Sequence, residues 1–314
     1  MLLPEVDVVI PTFNCRSNLT RCLRAIERQT YKGNVRVIII DGGSTDGTVE
    51  VAREFTQDII CNPGQYGTGL NGARHFGSLF GHGSLIWQLD SDNFIEESSA
   101  LEDLVGAFAE FPCLSVAAPM IRIPSNAGGF NAWLALAEQW FVGRMTLKGE
   151  KRGDKYILVR RPDYGLTNAH LITRESYVRS GGYDGDTRML ARLNEAGIAT
   201  TAFCVTAHYI HEQSDSLASL MRKWSKRANR FQSMTDDQWR AHFISPPPGT
   251  YSKGFPLQSM LMSFLLSPYI ALAGTIQNMD SRYLMGLAYP LIYAYLALTR
   301  APELVRILAQ LREA

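Results

Sequence analysis

Two carboxylates stand one residue apart in Leu89-Asp90-Ser91-Asp92-Asn93, directly after the apolar run Ser84-Leu85-Ile86-Trp87-Gln88. Carboxylates at the end of a buried strand are costly unless something pairs with them. A hard divalent cation is the usual partner, and Mg²⁺ or Mn²⁺ typically bridges one or two carboxylates to the phosphates of a substrate. An Asp-x-Asp triplet is also good turn and cap sequence. Taken alone, the pair therefore leaves a structural reading open, and the surrounding elements have to decide.

Those elements have a clear order. Val6 to Ile10 is a β-branched run ended by Pro11, and it predicts a buried strand. Leu19, Cys22, Leu23 and Ile26 have helical spacing within 17–30. Val35 to Ile40 predicts a second strand, ending at Asp41-Gly42-Gly43-Ser44, and a helix capped by Thr45 or Asp46 follows over 48–55. Ile59 to Cys61 is a short strand, Gly64 to Gly69 a glycine-rich loop, Leu70 to Phe80 a helix and Leu85 to Leu89 a fourth strand. Buried strands alternating with helices imply a parallel α/β sheet. Ligands of such sheets bind beyond the carboxyl ends of the strands. Pro11-Thr12-Phe13-Asn14, Asp41 and Asp90/Asp92 all fall there, so they are expected to line one crevice. Further on, a helix over 98–111, a strand over 114–123, an amphipathic helix within 124–163 and a helix over 186–196 are expected.

The chain has 314 residues and a formal net charge of +1, so no global field favours nucleic acid. Its 5 cysteines include no Cys-x-x-Cys pair, which argues against a disulfide framework and a thiolate zinc site and fits a reducing compartment. Met1 to Glu5 has no basic stretch or long apolar run, so no signal peptide is expected. The C-terminal third differs. After the basic cluster Arg222, Lys223, Lys226, Arg227 and Arg230, residues 254–279 are 26 uncharged positions; Asp280-Ser281-Arg282 interrupts, and 283–299 are 17 more. That pattern predicts a membrane-embedded hairpin with both basic flanks cytoplasmic. A pair of interfacial helices is the alternative.

Four motifs in order, Val8-Val9-Ile10-Pro11-Thr12-Phe13-Asn14, Val37 to Thr48, Asn71-Gly72-Ala73-Arg74-His75-Phe76-Gly77 and Leu89-Asp90-Ser91-Asp92, resemble the signatures of family-2 glycosyltransferases. The resemblance covers about residues 5–230. It implies an α/β GT-A fold, Rossmann-like, with a mostly parallel sheet flanked by helices. It also implies a nucleotide-diphosphate sugar as donor and Mg²⁺ or Mn²⁺ as cofactor. By the same resemblance Pro11, Thr12 and Asn14 wrap the base and ribose, Asp41 hydrogen-bonds the base and Arg74 faces the diphosphate, with Ser91 beside it. Asp90 and Asp92 hold the metal, Asp90 also touching the ribose. His211 is the further ligand, with His208 as substitute. Relatives commonly carry Asn where His75 stands.

The family's base belongs to a Glu-Asp pair after a Gly-Gly-Phe-Asp-like turn. Here the turn is Gly181-Gly182-Tyr183-Asp184. In register with Arg192-Leu193, Asp186 takes the place of the base and Gly185 that of the Glu, with Asp184 as fallback. Asp186 as base implies inversion at the anomeric carbon; a retaining transferase making a small glycoside, or a non-catalytic membrane scaffold that binds nucleotide sugars, are the rival readings. The expected organisation is a GT-A domain over 1–230, a linker over 231–253 and hydrophobic, membrane-associated helices over 254–314. These place the protein at the cytoplasmic face of a membrane, acting on a lipid-linked acceptor.

Overall fold

The structure, a computed structural model, describes residues 3–61, 70–125, 127–162, 169–183 and 186–212, together with the single positions 218, 272, 276 and 287. The chain divides into two compact units, one of residues 1–122 and 141–211, the other of 123–140 and 212–314.

The first unit begins as expected. Strands β1 (Val6–Thr12), β2 (Val35–Asp41), β3 (Ile59–Cys61) and β4 (Leu85–Gln88) alternate with helices α1 (Arg16–Glu27), α2 (Thr48–Arg53) and α3 (Leu70–Phe80). β1 pairs in parallel with β2 and β4, and β2 with β3. Val8, Val9, Ile10 and Ile38 to Ile40 are fully buried, because helices cover both faces of these strands. After β4 come β5 (Asn93–Ile95), α4 (Ala100–Glu110), β6 (Val116–Ile121) and α5 (Gly129–Leu147). The hairpin β7 (Glu150–Arg152) and β8 (Tyr156–Arg160) follows, then β9 (Leu171–Thr173), α6 (Arg174–Arg179), α7 (Asp186–Glu195) and β10 (Thr200–His211).

The ten-stranded sheet runs β3-β2-β1-β4-β9-β6-β10-β8-β7, with β5 on the far part of β10. It is mixed, which corrects the expectation of a mostly parallel sheet. β9 lies antiparallel between β4 and β6, β8 is antiparallel to β10 and β7 to β8, and only β6 and β10 continue the parallel pairing. For β7 and β8 a tight turn suffices, whereas parallel neighbours need a crossover of a dozen residues or more. The helix expected within 124–163 accordingly ends at Leu147.

Alternation along β10 sends Phe203 and Cys204 to opposite faces. Phe203 packs with Ala118, Val159 and, from α5, Val142 and Met145. On the Cys204 side, Asp103 of α4 accepts from Thr206 Oγ1 at 2.8 Å and Lys155 Nζ at 2.7 Å. Val9, Ile86, Val116 and Ile172, from four strands, pack against Tyr177, Tyr183, Met189, Leu190 and Leu193 beside and within α6 and α7. In the second unit Ala132 and Leu136 are buried against Ile123 and Ala127.

The expected pair of C-terminal membrane helices, and the location at a membrane's cytoplasmic face built on it, is overturned. Among the described residues no helix is long and apolar enough to cross a membrane. A span needs about 20 predominantly apolar residues. The 19-residue α5 is interrupted by Glu138 and Arg144. Apart from Leu272, Ile276 and Leu287, the stretches 254–279 and 283–299 lie outside the described residues, as do the linker and the basic cluster.

Candidate active site

The carboxyl ends of β1 and β2 are neighbours in register, Thr12 opposite Asp41. Asp41 is 1 % exposed, and its carboxylate accepts hydrogen bonds from Thr12 Oγ1 (3.0 Å), Ser44 Oγ (2.5 Å) and the amides of Gly43 (2.8 Å) and Ser44 (2.7 Å). Four donors offset the cost of burying this charge and shape the Asp-Gly-Gly-Ser loop. Asn14, at φ +47°, latches the β1–α1 loop to it. Its amide donates to Ser44 Oγ at 2.8 Å, and its Oδ1 accepts from the Thr45 amide at 2.9 Å. Phe13 stands beside Gly42, 62 % exposed. Pro11, Thr12, Asn14 and Asp41 are thus one rigid ledge.

The carboxylate loop is tied to this ledge. The Leu89 amide donates to Val9 O at 3.2 Å, the Cys15 thiol hydrogen-bonds Ser91, and Cys22 Sγ lies 3.8 Å from Asp90 O. Burial pushes both thiols up, and the charges of Asp92 and Asp90 push Cys22 further, so both remain protonated at neutral pH. The Asn93 amide returns to Asp90 O at 3.0 Å and closes the turn.

Beyond that turn the chain enters β5, which runs antiparallel to the end of β10 and sets Asn93 opposite His211. A register shift in β10 between Cys204 and His208 re-aims the end of the strand. His211 Nε2 comes to 3.7 Å from Asp92 Oδ1. His208 instead has its Nδ1 2.8 Å from Glu97 Oε1 and from Arg122 Nη2. Of the two histidines weighed from sequence, His211 is the one beside the carboxylate pair.

Arg74, 3 % exposed on α3, donates through Nη2 to Asp90 Oδ1 and through Nη1 to the Tyr183 hydroxyl. Gly77, one turn on, lets α3 approach the sheet, since a Cβ there would lie 2.5 Å from Val9 Cγ1. Tyr183 closes the Gly181-Gly182-Tyr183 turn. Its amide is 3.1 Å from Tyr177 Oη and 3.3 Å from His75 Nδ1, and Arg192 Nη2 donates to Gly182 O at 2.6 Å. Asp186 opens α7 just beyond, while Asp184 lies outside the described residues. The sequence reading missed Tyr183; the signal available was a phenol in place of Phe beside a helix arginine.

Among the described residues no group of three or more His, Cys, Asp or Glu is placed to hold a metal ion. Asp92 and His211 offer one carboxylate and one imidazole 3.7 Å apart, while Asp90 is held by Arg74. Such a pair fits an Mg²⁺ or Mn²⁺ that takes its remaining ligands from water and a diphosphate.

The family model described as Glycosyl transferase family 2 matches residues 7–166, from β1 past β8. This chain belongs to glycosyl transferase family 2. Within 125 residues it is 35 % identical to the Glycosyltransferase AglE of Haloferax volcanii, covering 35 % of this chain and 40 % of that protein. Over 90 residues it is 33 % identical to the Escherichia coli UDP-Glc:alpha-D-GlcNAc-diphosphoundecaprenol beta-1,3-glucosyltransferase WfaP, covering 28 % of this chain and 36 % of that one. The matched stretch thus spans well under half of each relative. Among solved structures, the glucosyl-3-phosphoglycerate synthase from Mycobacterium tuberculosis with Mn²⁺ and UDP-glucose is 16 % identical, with a TM-score of 0.49 over 73 % of this chain and 78 % of that one.

Proposed function

We propose that this family-2 chain transfers a sugar from a nucleotide-diphosphate sugar to the hydroxyl of a lipid-linked acceptor, with inversion. The observation that carries the reading is the pairing of Asp92 with His211 across β5 and β10, beside the Arg74–Asp90 pair. Asp92 and His211, with Asp90 beside them, would hold the divalent cation, which when bound would neutralise charge on the departing diphosphate. The Thr12–Asn14 and Asp41–Ser44 ledge takes the base and ribose, Phe13 supplying an exposed ring. Arg74 adds a fixed positive charge next to Asp90.

Asp186 takes the proton of the acceptor hydroxyl as its oxygen bonds to the anomeric carbon. The bond from that carbon to the diphosphate oxygen breaks, and the nucleoside diphosphate leaves. The diphosphoundecaprenol-linked acceptor named for WfaP supports a lipid-linked acceptor here. The test is nucleoside-diphosphate release from UDP- and GDP-sugars with Mn²⁺, with and without a polyprenyl-diphosphate-linked sugar. One donor is expected to be turned over, faster with the lipid acceptor, and Asp92→Ala and Asp186→Asn are each expected to lose at least about a hundredfold. Full activity in Asp186→Asn removes Asp186 as the base, and full activity in Asp184→Asn as well removes the inverting assignment. Nucleotide binding with no release from any donor overturns catalysis and favours a binding scaffold, for which Gly185 in place of the usual Glu is the sequence feature.

A further inference from the structure

His75 and Tyr183, 108 residues apart in the chain, meet in space. His75 Nδ1 is 2.8 Å from Tyr177 Oη and accepts from the Tyr183 amide. A Cβ on Gly182 would lie 2.3 Å from the His75 ring. The imidazole therefore fills the inside of the turn. Arg192, which donates to Ser180 O and Gly182 O, grips it from the side of α7. The Tyr183 ring is buried with Val9, Ile86 and Met189, so its hydroxyl is delivered to Arg74 from a fixed base.

We propose that Tyr183 is a positioning residue that holds the Arg74 guanidinium against Asp90 and thereby sets the geometry in which the metal–nucleotide pair binds. The inference rests on the transferase reading above. A guanidinium is planar, and its donors form a rigid fork. With Nη1 on the Tyr183 hydroxyl, Nη2 is aimed at Asp90 Oδ1. Without that hydroxyl Nη1 loses this acceptor, and the fork is free to turn away from Asp90. Asp90 then loses its orientation next to the cation.

Mn²⁺ binding in the presence of UDP or GDP, followed by the electron paramagnetic resonance of free Mn²⁺, tests this without requiring turnover. Tyr183→Phe keeps the ring and is expected to bind Mn²⁺ with nucleotide about tenfold more weakly, with a melting temperature close to wild type. Tyr156→Phe removes another buried phenol, one that donates to Asp103 O at 2.7 Å away from the site, and is expected to bind like wild type. Arg74→Lys keeps the charge but loses the fork; it is expected to show the same loss and serves if Tyr183→Phe does not fold. Wild-type binding by Tyr183→Phe, or an equal loss in Tyr156→Phe, overturns the positioning role alone. A wild-type chain that binds no Mn²⁺ with either nucleotide overturns the transferase reading, and the positioning role with it.

Discussion

Gly182 is constrained from two directions. Its φ of +85° lies where side chains are disfavoured, and the space a Cβ needs is occupied by His75. Gly182→Ala therefore carries backbone strain plus a clash, and a loss of about 2 kcal/mol or more is expected in urea unfolding. An alanine stability equal to wild type means the turn can adopt another conformation, and the hydroxyl of Tyr183 is then not held as described. Asp41 shows the opposite economy. Its carboxylate is surrounded by three donors of its own loop and the Thr12 hydroxyl, so it organises the ledge whatever else approaches it. The turn reading of Asp-Gly-Gly-Ser and the donor-binding proposal are compatible at this residue.

At the scale of elements, the site is assembled by β1, β2, β4, α3 and the end of β10, and the amino-terminal end of these parallel strands is closed by ion pairs. Buried Asp7 accepts from Arg174 Nη2 and from the Gly83 amide, both at 2.6 Å, which binds β1 to the start of α6 and the loop before β4. Next to it, Arg36 of β2 meets Asp58 ahead of β3 through two hydrogen bonds of 2.6 and 2.8 Å. The Arg36 guanidinium holds the Asp58 carboxyl below its usual range. A carboxyl depressed in the folded state adds stability above its unfolded value, about 3.9, and that stability is lost as pH falls through the folded value. The pair is about a quarter exposed, so its worth is small, about 0.5 kcal/mol. Asp58→Asn is expected to unfold more easily than wild type by that amount at pH 7, with the gap closing below about pH 4. A gap that persists unchanged at pH 2 means the ion pair is not its source.

Across the whole molecule the thiols report which parts are closed. Cys61 and Cys113 are exposed, Cys22 and Cys204 are buried, and burial pushes the thiols of Cys15, Cys22 and Cys204 up. At pH 8 an alkylating reagent is expected to label Cys61 and Cys113 quickly, Cys15 slowly, and Cys22 and Cys204 only on unfolding, as read by mass spectrometry. Rapid labelling of Cys22 would show that α1 opens away from the carboxylate loop.

What could be read from the residues alone follows the range of the forces involved. β-Branched runs and helical spacing are local, and β1 to β4 and α1 to α3 stand close to where those patterns place them. The order of Pro11–Asn14, Asp41, Arg74 and Asp90–Asp92 also survives, because parallel strands deliver their carboxyl ends to one edge. The strand β10, Thr200 to His211, was missed although its β-branched and aromatic residues suit one, and its partners could not be read. Pairing depends on chain returns that leave no local trace. Thus the antiparallel insertion of β9 between β4 and β6 was decided only when distant segments packed. The same holds within the site. Sequence supplied Arg74, Asp90, Asp92 and two histidines as candidates. The folded chain brings His211 to Asp92, His208 to Glu97, and Arg74 to Asp90 and Tyr183; a hydrogen bond needs about 3 Å, and sequence separation says nothing about that distance.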